Sequence, residues 1–80
     1  MMRGAAAMGF DPLQVTVDGK PVRLFRGATV RHALINAAAG SRLVNLVQSG
    51  RAAVWDETQD AQTDLGGALY DGQVLAVRET

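Results

Sequence analysis

The stretch Val17-Asp-Gly-Lys-Pro-Val-Arg-Leu-Phe-Arg-Gly-Ala-Thr-Val-Arg-His-Ala-Leu34 decides how the rest of this 80-residue chain is read. Asp18-Gly19 is a two-residue hairpin signal, because both positions of such a turn need positive φ and glycine adopts it freely. Upstream, Leu13-Gln-Val-Thr-Val17 alternates apolar and polar residues, which places Leu13, Val15 and Val17 on one face of a strand. Downstream, Pro21-Val-Arg-Leu-Phe25 reads as the returning strand. Pro21 is tolerated there because a first or edge position needs no ladder donor. Arg26-Gly27-Ala28 breaks the strand, and Thr29 is placed to cap a helix by accepting from an amide of its first turn. Val30, Ala33, Leu34, Ala37 and Ala38 then share one helical face, and Gly40 ends it.

Beyond the helix the pattern is shorter in period. Ser41 stands where it can cap a second short helix over residues 42–49. The run Leu43-Val-Asn-Leu-Val is short and partly β-branched, so a strand over 43–47 competes with that helix. Ala52-Ala-Val-Trp-Asp56 reads as a third strand. Glu57 to Asp64 reads as a polar loop without periodicity, and Leu65 to Leu69 as an irregular segment containing Gly66-Gly67. Tyr70-Asp71-Gly72 is a turn, and Gln73-Val-Leu-Ala-Val-Arg78 a last strand. The expected division is a flexible N-terminal tail over 1–11 and a single domain over 12–80. There is no internal repeat and no linker.

The order of hairpin, helix and two further strands resembles the β-grasp, or ubiquitin-like, fold. Two stretches carry the resemblance: Val17 to Leu34, quoted above, and Leu69-Tyr-Asp-Gly-Gln-Val-Leu-Ala-Val77. The first is similar to the "x-G-K-x-V-x-L-x-x-G-A-T-V-x-x-x-L" opening of several β-grasp families, the second to their "L-x-D-G-D-x-V-x-I" close. These families include the sulfur carriers of thiamine and molybdopterin synthesis, the TGS domain and plant-type ferredoxin domains. The resemblance implies an α+β fold, with a mixed sheet of about four strands packed on one main helix. A right-handed crossover would set that helix over one sheet face. Val30, Leu34 and Ala37 would then meet Val15, Val17, Val22, Leu24, Leu75 and Val77.

Composition narrows the function. Eight basic residues balance eight acidic ones, so the chain lacks the overall charge of a strong nucleic-acid or membrane binder. No apolar run approaches the roughly 20 residues of a membrane span. There is no cysteine. That removes a disulfide framework, a zinc-thiolate site and the cluster ligands a ferredoxin needs, and it suits a reducing compartment such as the cytoplasm.

Each motif has a functional and a structural reading. Sulfur carriers of the resembling type act through a C-terminal Gly-Gly whose carboxylate is activated. Here Gly67 is followed by thirteen further residues and the sequence closes on Arg78-Glu79-Thr80, so the pair reads as a loop. TGS-like RNA association would need Arg23, Arg26, Arg31, Arg42 and Arg51 gathered on one side. Asp56, Thr58, Asp60, Gln62 and Asp64 alternate as in a calcium loop, yet Ala61 and Gly67 occupy the positions that need glycine and glutamate. His32 has no serine or acid at a spacing that suggests a catalytic partner, and reads as a surface residue.

Trp55 is different. If Val54 points to the core, alternation sends Trp55 to the open sheet face, where Val74 and Ala76 would join it, with Phe25 and Arg23 at the side. A one-residue slip in register would instead bury the indole. The expectation is therefore a small non-enzymatic interaction module with a protein partner and a capacity for self-association. It has no catalytic residue, cofactor or metal, and its contact surface is Trp55, Phe25, Arg23, Val74 and Ala76. A sulfur carrier or degenerate relative is the alternative, and an RNA-associated domain the third.

Overall fold

The computed structural model describes residues 12–37 and 40–80. The tail read over 1–11, and Ala38 of the helical face, lie outside the described residues. The elements are β1 (Leu13–Val17), β2 (Lys20–Leu24), α1 (Val30–Ala37), α2 (Arg42–Gln48), β3 (Ala52–Asp56), β4 (Ala61–Thr63) and β5 (Val74–Glu79). The strands form one mixed sheet in the order β2-β1-β5-β3-β4. Both helices lie on one face, α1 against β1 and β2, and α2 against α1 and β3. The architecture is α+β, with five strands rather than about four.

The hairpin forms as its turn residues dictate. Asp18 and Gly19 have φ of 49° and 85°, and β1 and β2 pair antiparallel from Val17↔Lys20 to Leu13↔Leu24. The β1 periodicity buries Leu13, Val15 and Val17, and β2 adds Val22 and Leu24. On α1, Val30, Ala33 and Leu34 are fully buried, and Ala37 packs at the margin. Val44, Val54 and Leu75 complete the core. Full burial of one such aliphatic side chain contributes about 1.5–3 kcal/mol.

Of the two readings over residues 42–49, the short helix forms and the competing strand over 43–47 does not: Asn45 N–H donates to the Ser41 carbonyl at 2.8 Å, and Leu43, Val44 and Val47 all turn toward the core. Ser41 stands at its N-cap without a side-chain cap bond, and Ser49 follows its last residue. The polar loop over 57–64 contains the extra strand. Asp60 turns the chain with φ of 55°, and Ala61–Thr63 then pairs antiparallel with β3. Three residues are too few for alternation to register. Phe25 lies beyond β2, which runs one residue earlier than read, and β5 runs one residue later.

The parallel seam between β1 and β5 depends on two Asp-Gly turns at its ends. Gln14 N–H donates to the Asp71 carboxylate at 2.9 Å, and Gly72 N–H to the Gln14 carbonyl at 2.8 Å. Thr16 N–H then donates to the Gln73 carbonyl and Asp18 N–H to the Leu75 carbonyl, both at 2.9 Å. Val77 N–H donates to the Asp18 carboxylate at 2.9 Å. Each aspartate thus supplies an acceptor where the ladder has run out of carbonyls, in keeping with the rule that main-chain donors find partners.

Candidate functional site

The sheet face away from the helices carries no covering element among the described residues. Its side chains follow from register. Val54 is buried on the helix side, so Trp55 projects to the open side, opposite Ala76 on β5 and Gln62 on β4. Val74 is next along β5 on the same face and is 36% exposed. Trp55 is half-buried, with the Arg78 guanidinium 5.1 Å from its ring centroid. The same guanidinium donates to the Glu57 carboxylate at 3.1 Å. A cation over an indole face is attracted by the ring's electron density.

Trp55, Val74 and Ala76 are therefore brought together. Arg23 lies on the same face, but on β2, three strand spacings or about 14 Å from β3. Phe25 does not join them. It lies past the end of β2, 51% exposed, and its ring meets His32 edge-on with centroids 5.4 Å apart. Strand alternation could not carry Phe25 onto the open face because the strand had already ended.

His32 is half-buried rather than a free surface residue. Thr29 N–H donates to His32 Nδ1 at 3.0 Å, and the Thr29 hydroxyl lies 3.1 Å from the same nitrogen. His32 occupies the third helical position, where a glutamate or glutamine of a capping box reaches back to the cap amide. The expected Thr29 bond to a first-turn amide is replaced by another device. Val30 N–H donates to the Gly67 carbonyl and Arg31 N–H to the Leu65 carbonyl, each at 3.0 Å.

Gly66-Gly67 is thus a docking loop for the start of α1. Gly67 N–H donates back to the Asp64 carbonyl at 3.0 Å. A Cβ on Gly67 would stand 2.5 Å from the Thr63 hydroxyl and 3.2 Å from the Asp64 carbonyl, so a side chain enters only if the hydroxyl turns away and the carbonyl gives by a few tenths of an ångström. Gly66 is open by comparison, its nearest neighbour being the Asp64 carboxylate at 3.8 Å.

Behind the open face lies a polar cluster that the sequence reading missed. Asp56 is 4% exposed. The Tyr70 hydroxyl donates to its two carboxylate oxygens at 2.8 and 3.1 Å, and Gln73 Nε2 donates at 2.9 Å. The amides of Thr58 and Gln59 donate at 2.9 and 3.1 Å. Burial alone pushes the Asp56 carboxyl up. The bonds from Gln73, Tyr70 and the two amides outweigh it and hold the group below its ordinary value of 3.8. Tyr70 is raised above 10.0, first by burial and then by its bond to Asp56. The signal was available: the alternation that turns Trp55 outward turns Asp56 inward. Asp56 therefore anchors the β3–β4 turn, and among the described residues no group of three or more histidines and acids is arranged to hold a metal.

The arginines of the RNA reading divide between faces. Arg23 projects from the open side of the sheet, while Arg31 and Arg42 belong to helices on the other side. Among the described residues no helix is long and apolar enough to cross a membrane. Comparison with known proteins finds no matching family, no similar curated protein and no similar solved structure.

Proposed function

We propose that this chain is a non-enzymatic protein-interaction module of the ubiquitin-like, β-grasp type, acting in the cytoplasm through the open face of its sheet. The observation that carries the proposal is the cluster of Trp55, Val74 and Ala76, covered by no element among the described residues, on a face that neither helix reaches. A half-buried indole beside small apolar neighbours supplies contact area at little entropic cost, and aromatic residues of this kind dominate protein interfaces. The β-grasp reading draws support from the mixed sheet with a parallel β1–β5 pair and α1 across one face.

Two side chains with acid–base capacity, Asp56 and His32, are engaged in holding the fold. Asp56 is enclosed by structural donors, and His32 accepts from a cap amide. The sulfur-carrier alternative finds little support in Gly66-Gly67, because the Gly67 carbonyl holds an α1 amide. Severing the chain after Gly67 would also remove β5, which lies between β1 and β3. RNA association is disfavoured by the division of the arginines between faces.

The test is Trp55→Ser. The variant is expected to keep the native circular dichroism and to lose the complex formed in the native host. A variant that folds and retains the complex would refute the proposed face.

A further inference from the structure

Among the described residues the sheet ends on β2 and β4, and these two edges are complementary in charge and in hydrogen-bonding groups. In a strand, the N–H and C=O of one residue point to the same side, and successive residues alternate sides. Gln14 and Thr16 direct these groups to β5. Their partners on β2, Arg23 and Pro21, therefore direct theirs away from the sheet. The outer edge of β2 thus offers the Arg23 N–H and the carbonyls of Pro21 and Arg23. Pro21 costs the sheet nothing, since the donor it lacks would face outward.

The same logic fixes the other edge. Leu75 accepts from Asp18 N–H, and Val77 N–H donates to the Asp18 carboxylate, so both point toward β1. Their β3 partners, Asp56 and Val54, must then point toward β4, and Trp55 toward β5. Gln62, opposite Trp55, is left with its N–H and C=O directed outward. Charge is arranged to match. Lys20 and Arg23 are exposed on β2, whereas Asp60 and Asp64 are exposed at the two ends of β4.

We infer that copies of this chain associate head to tail, the β2 edge of one copy pairing antiparallel with the β4 edge of the next. With Arg23 opposite Gln62 of the next copy, the two residues exchange both main-chain bonds. Pro21 then falls opposite Asp64, just past the end of β4, where the Asp64 carbonyl and carboxylate accept from Gly67 and Gly66 N–H. Each face continues across the junction: Arg23 beside Gln62 on the open side, and Val22 and Leu24 beside Thr63 and Ala61 on the helix side. Arg23 falls diagonally between Asp60 and Asp64, within reach of a long side chain. The contact is heterologous, so it leaves a free edge at each end and growth is open-ended. This surface is distinct from the Trp55 face, which stays uncovered along the assembly.

Sedimentation velocity on the full chain tests this. Wild type is expected to grow in size from about 10 μM to about 1 mM at ~20 mM NaCl, and to lose at least about tenfold in affinity at ~500 mM NaCl, because exposed charges are screened. Arg23→Glu spoils the β2 edge and Gln62→Pro the β4 edge, and each is expected to be monomeric alone. Mixed, they are expected to form a 1:1 dimer that grows no further, since one intact edge remains on each copy. Wild type that stays monomeric at low salt, a variant that assembles alone, or a mixture of two folded variants without dimer would overturn the inference. If Gln62→Pro loses the native circular dichroism, Arg23→Glu and the salt series still decide, because salt-insensitive assembly or assembly of Arg23→Glu contradicts the charged edge.

Discussion

Replacing Gly67 by alanine should unfold this protein far more readily than the same change one residue earlier. The added Cβ would stand 2.5 Å from the Thr63 hydroxyl, well inside contact distance, and 3.2 Å from the Asp64 carbonyl. The carbonyl cannot retreat freely, because it accepts the Gly67 N–H. Overpacking of this kind costs about 1–3 kcal/mol. The loop would also shift carbonyls that satisfy Val30 and Arg31, each bond worth about 1 kcal/mol. With those bonds weakened rather than lost, a total near 2–3 kcal/mol corresponds to a fall in Tm of about 10–20 °C for a domain of this size. Gly66→Ala, with 3.8 Å to its nearest neighbour and no positive φ, should change stability by less than about 0.5 kcal/mol. Thermal and urea unfolding followed by circular dichroism would measure both. Adding Thr63→Ala to Gly67→Ala should recover part of the loss, a coupling expected of residues in contact. Equal effects at the two glycines, or a neutral Gly67→Ala, would refute the docking-loop account.

Three further outcomes follow from the interior. The Asp56 carboxyl is depressed in the folded state, so its contribution is fully present above the unfolded value near 4 and is lost as pH falls through the folded value. Urea melts from pH 7 down to pH 2 should show that loss, and Asp56→Asn should flatten it. Tyr70→Phe removes a hydroxyl bonded to a charged acceptor and should cost about 1.5–3 kcal/mol at pH 7, measured by the same melts. His32→Ala should cost roughly 1 kcal/mol by removing the acceptor for Thr29 N–H, while His32→Glu should retain most of the stability.

Much of the fold could be read from the residues because short-range rules carried it. The Asp18-Gly19 turn, the β1 alternation and the α1 stripe each need only local chemistry. What escaped depends on partners far apart in sequence. The Asp18 and Asp71 carboxylates finish the β1–β5 seam across 59 and 57 residues, and no local pattern announces that. Gly66-Gly67 could be recognised as a loop, but its necessity comes from Thr63 and from α1. Among the candidate site residues, Trp55, Val74 and Ala76 came together through alternation. Phe25 did not, because its strand ends at Leu24 and its ring turns to His32.

The proposed function rests on Trp55 facing a partner rather than the core, and photo-crosslinking in the native host addresses that claim most directly. A crosslinking residue placed at Ala76 on the open face, compared with one at Asn45 on exposed α2, reads which side of the domain is occupied. A discrete adduct is expected from position 76 that disappears when Trp55→Ser is added, with no such adduct from position 45. Trp55→Ser itself should cost only about 1–2 kcal/mol, against the roughly 3–5 kcal/mol of a core tryptophan. An adduct from position 45 alone, or one from position 76 that survives Trp55→Ser in a folded protein, would contradict it.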